Sequence, residues 1–389
     1  ILLTMQADWQ GLVGNLPQRS TQWLLFDYLM TEVYGNLCPT LQDFLLRSSV
    51  PLQFDLAQLE ALLGPGPWEA RVEETEREGL FLSRLGEEGR WFRYHQLFRE
   101  FLQARLRRER PAEYEALHRA AARLAESRGD WATAREHWRA IGDAEEELRL
   151  VRRAAGRLVE AGQWQTVADW LEALPREVVQ ADPELLLQQA RVLWRLGDLD
   201  QALARVGEAC QKASESGEDR QTARALLLRA AIHQYRSELP DVIRDCSTVL
   251  ELAAHDNAMV AAAYRNLGAV LGLQGSLDAS YNHLQQAIQF ALKAGDSHTA
   301  AVALQNLGVT CVRMGKLEEA ASAYAQAHKI LVGLGDPVGL SEVLVCQATP
   351  SYLRGNYDEA LGLLEQALDV AGRAGYLRVR GYALHSKGD

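Results

Sequence analysis

The stretch Gly315-Lys316-Leu317-Glu318-Glu319-Ala320 returns along this chain at a fixed interval. Near-copies begin forty residues later, at Gly355, and forty residues earlier, at Gly275, and a further copy begins at Gly197. Ser237 stands forty residues after Gly197, in the slot where a hidden repeat is expected. A period of this size is typical of one supersecondary unit that stacks on copies of itself.

One repeat predicts two helices joined by a glycine turn. Residues 299–314 are mostly small and apolar, and Gly315 should end this first helix because glycine takes the left-handed conformation at little cost. Gly335 ends the second helix in the same way. The apolar residues of the second helix are spaced so that they share one face. They are Leu317, Ala320, Ala321, Tyr324, Ala327 and Leu331.

This repeat resembles the tetratricopeptide pattern. The resemblance rests on Leu307-Gly308 in the first helix, Gly315 at the turn, and Ala320 and Tyr324 in the second helix. The forty-residue period exceeds the usual ~34, so each helix should be longer. The resemblance implies a right-handed α-solenoid in which the first helix of each pair lines the concave face.

The first part of the chain predicts a different domain, a winged helix. Three short helical patterns precede two apolar runs separated by a glycine-rich turn, which indicate a β-hairpin, and a longer helix follows. The segments are, in order, Thr40–Arg47, Leu56–Leu63, Trp68–Glu78, Leu80–Leu85, Arg90–Tyr94 and 96–108. The expected fold class is therefore predominantly all-α, with a winged helix followed by the solenoid.

Four domains are predicted from these patterns. All nine tryptophans lie at or before Trp194, and Asp182-Pro183 opens the regular array, so the two ends differ in kind. The chain opens on Ile1 without an initiator methionine and closes inside what the spacing makes a further first helix, so we interpret it as a fragment. The expected divisions are 1–37 (the end of a preceding ATPase module or a linker helix, with an amphipathic helix over 21–34), 38–110 (winged helix), 111–180 (a helical arm of irregular repeats) and 181–389 (the tetratricopeptide-like sensor).

A winged helix invites a DNA-binding interpretation, which the charges disfavour. The third helix pattern carries five glutamates against two arginines, a balance of minus three, and the whole chain has a net charge of −11. Phosphate binding requires positive charge at the interface. We therefore expect no direct nucleic-acid binding by this fragment.

Composition and motifs exclude several other functions. No run of 18 apolar residues occurs, so no membrane span is expected. The five cysteines are an odd number without a close pair, which suits a reducing cytoplasm and argues against a disulfide framework or a zinc site. No phosphate-binding P-loop or catalytic motif occurs, so the fragment is expected to have no catalytic residue, no metal and no cofactor of its own.

One motif connects the winged helix with a known family. The run Trp91–Leu102 contains Tyr94-His95-Gln96-Leu97-Phe98, which resembles the tyrosine-histidine-x-leucine-phenylalanine motif of maltose-regulon-activator-like regulators. These are bacterial signal-transduction ATPases with numerous domains (STAND). The position of His95 also resembles the motif histidine that contacts the β-phosphate of ADP in related ATPases. The resemblance implies nucleotide sensing by His95 when an ATPase domain is attached; the alternative is a histidine packed under the wing.

The family resemblance implies a larger regulatory protein. Such a parent has its own ATPase domain that binds ADP or ATP with Mg²⁺ and hydrolyses ATP slowly. It forms homo-oligomers when active and activates transcription in the cytoplasm. The solenoid would bind a small-molecule inducer or a protein or peptide partner. The alternative is a tetratricopeptide scaffold for protein–protein interaction without nucleotide switching.

Counting back from the turns predicts which side chains line the concave groove. The slots lie ten, nine, six, three and two residues before the turn residue. Arginine and amide side chains in such slots can bind carboxylate, phosphate or peptide backbone, and an aromatic ring can stack. The alternative is that they only solvate an unburied face. The candidates are Arg191, Trp194, Arg195, Gln234, Arg265, Asn266, Gln305, Asn306 and Arg313.

Overall fold

The computed structural model describes residues 31–86, 89–374 and 376–388. Its contacts divide the chain into two compact units, Ile1–Ala154 and Ala155–Asp389. The predominantly α-helical fold class is confirmed. Residues 1–30, which hold most of the predicted lead-in helix, lie outside the described residues, and residues 31–35 are helical.

The helices and strands follow the sequence patterns closely. The division between the units falls inside α7, whereas domain boundaries were predicted after residues 110 and 180. The first part of the chain holds α1 (Pro39–Ser48), α2 (Leu56–Leu63), α3 (Trp68–Arg77), β1 (Leu82–Leu85), β2 (Trp91–Tyr94), α4 (Gln96–Glu109), α5 (Pro111–Ser127), α6 (Trp131–Ile141) and α7 (Ala144–Glu160). It continues with α8 (Trp164–Glu172), α9 (Arg176–Ala181), α10 (Pro183–Leu196), α11 (Leu199–Glu215), α12 (Asp219–Tyr235), α13 (Leu239–Leu252), α14 (Asn257–Leu273), α15 (Leu277–Ala294), α16 (Ser297–Arg313), α17 (Leu317–Leu334), α18 (Pro337–Leu353), α19 (Tyr357–Arg373) and α20 (Leu377–Gly388).

The winged helix is held together by aromatic side chains. The antiparallel hairpin pairs Leu82 of β1 with Tyr94 of β2, and Phe54 forms an additional bridge to Phe92. The rings of Phe54, Phe92 and Tyr94 pack on one another with centroids 5.7–5.9 Å apart, and Phe98 of α4 meets Tyr94 edge-on at 5.9 Å. Burial of such rings is a large favourable contribution to folding. This packing fixes the hairpin against α4.

The second unit contains the predicted helix pairs, including the hidden one. Gly197 and Gly275 end their first helices in the left-handed conformation, with φ of 88° and 89°. Ser237 takes the same conformation, with φ of 62°, although it carries a side chain. The helix–turn–helix at Ser237 is therefore a true repeat. Within the described residues, no helix is long and apolar enough to cross a lipid bilayer.

First helices of successive repeats pack on one another along the array. α10, α12, α14, α16 and α18 each contact the next first helix, and these contacts are more extensive than those between successive second helices. The Arg313 guanidinium reaches the neighbouring repeat and donates to the carbonyl oxygen of Gly272. The first helices therefore form the inner layer of the stack.

A close approach between the two helices of a repeat depends on one glycine. A Cβ on Gly308 of α16 would lie 2.4 Å from Cε1 of Tyr324, whose side chain is buried in α17. Ala320, one turn before Tyr324, is also fully buried at this crossing. The first helix can approach this closely only because Gly308 has no side chain.

We expect Gly308→Ala to destabilise the array by about 1–3 kcal/mol, because the ring of Tyr324 would have to move in a close-packed crossing. Gly207→Ala is the matched control, since Gly207 lies inside α11 with nothing within 4 Å of the added Cβ. It should be neutral or stabilising by about 0.5–1 kcal/mol. Urea denaturation followed by circular dichroism measures both. Equal midpoints for the two variants would contradict the packing at Gly308.

Candidate functional site

His95 lies on the surface where the hairpin joins α4. It is the N-cap residue of α4, and its backbone N–H donates to the carbonyl oxygen of Phe81 at 2.8 Å. Its imidazole is exposed and makes no hydrogen bond within the described part of the chain. The alternative interpretation, a histidine packed under the wing, is wrong. Among the described residues, nothing covers this side chain.

The other residues of the Tyr94–Phe98 motif have structural roles. The Tyr94 hydroxyl lies 2.7 Å from the Ser48 Oγ in the core, and burial raises the pKa of this phenol well above its usual range. Arg99, next to the motif, donates to the carbonyl oxygens of the loop at Ser49–Pro51 at 2.9–3.2 Å. Within this motif, His95 and its neighbour Gln96 are the exposed side chains, and Gln96 donates to Glu100 at 3.0 Å.

In the third helix of the winged helix, α3, glutamate side chains form ion pairs with nearby arginines. Arg84 of β1 donates to both carboxylate oxygens of Glu76 at 2.6 and 2.7 Å, and Arg71 pairs with Glu74. Glu69 and Glu73 remain exposed on the same helix. These ion pairs leave little positive charge for phosphate, which supports the expectation that this helix does not bind DNA.

The predicted groove residues lie at several depths on the inner layer of first helices. Arg195 and Arg313, two residues before their turns, are exposed. Asn266 is only 5% exposed and therefore does not line this surface. Its amide oxygen accepts from Arg265 at 2.9 Å, and its side chain bonds to Cys246 of the second helix α13. The slot nine residues before the turn points between the helices of a pair. The half-buried candidates are Arg191, Trp194, Gln234, Arg265, Gln305 and Asn306.

Several candidates contact one another along this inner surface. The Arg195 guanidinium lies 5.5 Å from the ring centroid of Trp194, a cation–π distance. The Gln305 amide donates to the Cys346 Sγ of the next repeat at 3.5 Å. Some polar groups of the inner surface therefore bond to one another rather than to a ligand. This agrees with the alternative interpretation, in which these residues only solvate an unburied face.

Sequence reasoning missed a set of exposed apolar residues in the same slots. Tyr235, Leu273 and Leu353 stand two residues before their turns and are 73%, 65% and 53% exposed. Tyr352, three residues before its turn, is 48% exposed and lines a cavity of about 520 Å³. The same count from the turn glycines would have found them. In the slot two residues before the turn, the inner surface thus carries exposed apolar side chains in three repeats and arginines, Arg195 and Arg313, in two others.

Two arginines on this inner layer have no carboxylate within salt-bridge distance among the described residues. Arg265 donates to the neutral Asn266 amide, and burial lowers the pKa of its guanidinium. Burial and the nearby Arg224 lower the pKa of Arg191, which makes no hydrogen bond or ion pair among the described residues. By contrast, Arg224 pairs with Glu184 at 2.8 Å. Partly buried unpaired cations are costly, and a bound anion would offset that cost.

A second titratable cluster lies in the first unit, between α5 and α6. Nδ1 of His118 lies 3.0 Å from Nδ1 of His137, and both rings are buried. One neutral imidazole therefore donates to the other. Burial lowers the pKa of His118 to about 3 and that of His137 to about 4. Both rings should stay neutral in the folded protein near pH 7.

Comparison with known proteins agrees with this architecture. Residues 30–114 match the MalT winged helix domain, and residues 259–331 match the tetratricopeptide repeat. The chain joins a MalT winged helix domain to tetratricopeptide repeats. This combination agrees with the resemblance to STAND regulators drawn from the Tyr94–Phe98 motif and the repeats.

One solved structure shares the fold over most of the chain, and two others resemble parts of it. A STAND protein with a tetratricopeptide repeat sensor from Pyrococcus horikoshii is 16% identical with a TM-score of 0.66, and the match covers 92% of this chain. This chain spans 55% of the length of that protein. BtubC from P. vanneervenii is 17% identical over 59% of this chain and 92% of its own, with a TM-score of 0.46. YrrB, a TPR protein with an unusual peptide-binding site, is 20% identical over 55% of this chain and 95% of its own, with a TM-score of 0.36.

The buried histidine pair predicts acid-sensitive stability. A histidine in the unfolded chain has a pKa near 6.5. Below that pH, His118 and His137 bind protons in the unfolded state but stay neutral in the folded state. The free energy of unfolding therefore has its full value above about pH 6.5. As the pH falls toward 4, it decreases by about 1.4 kcal/mol per pH unit for each histidine. Urea midpoints from tryptophan fluorescence at about pH 7 and about pH 5 measure the loss. His137→Gln should reduce it, and the exposed His255→Gln should not; an unchanged loss in His137→Gln would contradict the assignment.

Proposed function

We propose that this chain is the regulatory and sensor portion of a STAND signalling protein that controls transcription. The observation that carries the proposal is the order of the parts, a MalT winged helix followed by tetratricopeptide repeats. A STAND protein with a tetratricopeptide sensor has the same fold over 92% of this chain. In the proposed parent, an ATPase module binds ADP or ATP with Mg²⁺, and the array controls its opening and its assembly into oligomers in the cytoplasm.

His95 is the residue through which the winged helix would sense nucleotide. Its imidazole is exposed at the N-terminus of α4, held in place by the backbone bond to Phe81 and by the packed neighbours Tyr94 and Phe98. An exposed imidazole with no hydrogen-bond partner among the described residues can donate to a phosphate oxygen. His95 therefore fits a nucleotide-sensing role. Catalysis is assigned to the ATPase module rather than to this chain.

The inner layer of the array is the proposed sensor surface. Exposed apolar side chains at Tyr235, Leu273 and Leu353 alternate along it with the unpaired cations of Arg191 and Arg265. This alternation suits a polypeptide segment with apolar and acidic side chains better than a neutral small molecule, because both kinds of surface would be satisfied together. The same surface would also serve a scaffold without nucleotide switching, but a scaffold gives no role to His95.

We expect His95→Ala to weaken ADP retention in the protein that joins this chain to its ATPase module. Loss of a hydrogen bond to a charged phosphate should cost about 1.5–3 kcal/mol, or about 10- to 100-fold in affinity. The nucleotide released by denaturing purified protein is quantified by chromatography. His255→Ala, an exposed histidine in the array, is the control and should keep its ADP. Unchanged ADP content and an unchanged activation threshold in His95→Ala would favour the scaffold.

The sensor surface is tested with labelled synthetic peptides that alternate leucine with glutamate or leucine with lysine. The chain should bind the glutamate peptide more tightly, and Arg191→Ala with Arg265→Ala should weaken that binding by about tenfold or more because charged hydrogen bonds are lost. Arg205→Ala, on second helix α11 and paired with Glu208, is the matched control. Fluorescence anisotropy measures the affinities. Equal affinity for the two peptides would contradict the proposal that these residues form the sensor surface. An unchanged affinity for the glutamate peptide in the double variant would contradict it as well.

A further inference from the structure

The turn between α12 and α13 brings an imidazole and two carboxylates together. One potential ligand atom from each of His233, Glu238 and Asp241 lies within 4.8 Å of the other two. Nδ1 of His233 is already 2.6 Å from Oε2 of Glu238. All three side chains are half-buried, so they are partly shielded and still reachable from solvent. No motif in the sequence indicates this cluster, because its members come from two helices and the turn that joins them.

Helix capping does not account for the two carboxylates. Glu238 is the N-cap residue of α13, but its side chain accepts no hydrogen bond from the helix. The aspartate at the equivalent position of the preceding repeat, Asp198, does cap its helix by accepting from the backbone N–H of Gln201 at 3.1 Å. Asp241 meets the side chain of Arg244 through Oδ1 at 2.6 Å. Neither carboxylate therefore caps a backbone N–H of α13, and each is paired with an arginine instead.

The cluster belongs to this repeat and not to the repeat pattern. The three positions lie four residues before, one after and four after the turn residue Ser237. In the other repeats, the same positions never combine three metal-ligating side chains. They hold Leu193, Asp198 and Gln201; Leu271, Ser276 and Ala279; Cys311, Lys316 and Glu319; and Ser351, Asn356 and Glu359.

We propose that His233, Glu238 and Asp241 bind a divalent transition-metal ion, with Zn²⁺ as the best fit. Imidazole nitrogen and carboxylate oxygen are both ligand types that Zn²⁺ accepts, and three protein ligands would leave a fourth position for water. Ca²⁺ takes six to eight oxygen ligands, more than this turn provides, and Mg²⁺ is bound through oxygen ligands rather than through an imidazole. The imidazole selects for the transition metals.

Two arginines orient the carboxylates without filling the site. Arg236 Nε lies 2.8 Å from Oε1 of Glu238, which leaves Oε2 toward His233. Arg244 holds Oδ1 of Asp241, and Oδ2 has no partner among the described residues. Such outer contacts commonly orient metal ligands. When the ion binds, the His233 ring carries its proton on Nε2 and offers the Nδ1 lone pair, and a proton on a charged ring passes to solvent.

A bound ion would link the two helices of this hairpin. His233 belongs to α12, Asp241 to α13, and Glu238 to the connecting turn. Binding to the folded state alone raises stability according to the concentration of the ion relative to its dissociation constant. The site thus gives one repeat a response to metal that is separate from the proposed sensor surface.

The test uses the whole chain without an affinity tag, stripped with a chelator, and titrates it with zinc chloride and cobalt chloride by calorimetry. One ion per chain should bind at this turn. Asp241→Asn, which keeps the side-chain shape, and His233→Ala should each weaken zinc binding by at least about tenfold. His255→Ala is the matched control, because His255 is an exposed histidine near Asp256 at the end of the same hairpin.

Thermal unfolding supplies a second readout. Zinc should raise the thermal unfolding midpoint of the unsubstituted chain and of His255→Ala. It should leave the midpoints of Asp241→Asn and His233→Ala unchanged. The visible spectrum of the cobalt complex should show nitrogen and oxygen ligands in the parent and lose its bands in His233→Ala. The proposal would be overturned if the unsubstituted chain showed no saturable zinc binding. It would also be overturned if Asp241→Asn bound zinc as tightly as the unsubstituted chain. Both outcomes would leave the proposed sensor function untouched.

Discussion

The array depends on how closely the two helices of a repeat approach each other. Gly308 lies directly under the ring of Tyr324, and Ala320 fills the next turn of the same crossing. Because a side chain at Gly308 would displace a buried ring, the sequence at the crossing fixes the distance between the helices. That distance also sets how first helices align from repeat to repeat, and hence which side chains share the inner surface.

The sequence predicted the features that follow from regular spacing. The forty-residue period located the helix pairs, and it located the repeat at Ser237 although the turn glycine is missing there. Two apolar runs on either side of a glycine-rich turn located the hairpin. Both signals are local, and each is repeated or long enough to outweigh single substitutions.

Side-chain direction and contacts across turns could not be obtained in this way. Asn266 and Arg265 are neighbours in a predicted row of groove residues, yet one helical step of about 100° turns Asn266 into the interior. The pair of His118 and His137 joins residues of two helices, and the cluster at His233 depends on the geometry of a turn. Linear spacing carries no signal for such contacts. The exposure of His95 required the structure for the same reason.

The constant register of the inner surface also bears on how such an array can change in length. From the Gly275 repeat onward, residues forty apart occupy the same slot, as Leu273 and Leu353 show at twice that separation, whereas Tyr235 and Leu273 share this slot 38 residues apart. Duplication or deletion of one whole period would therefore add or remove one unit of surface and leave the rest aligned. A gain of half a period would exchange inner and outer helices from that point onward. Gene rearrangements that preserve function should therefore add or remove whole helix pairs, whose length varies slightly along this chain.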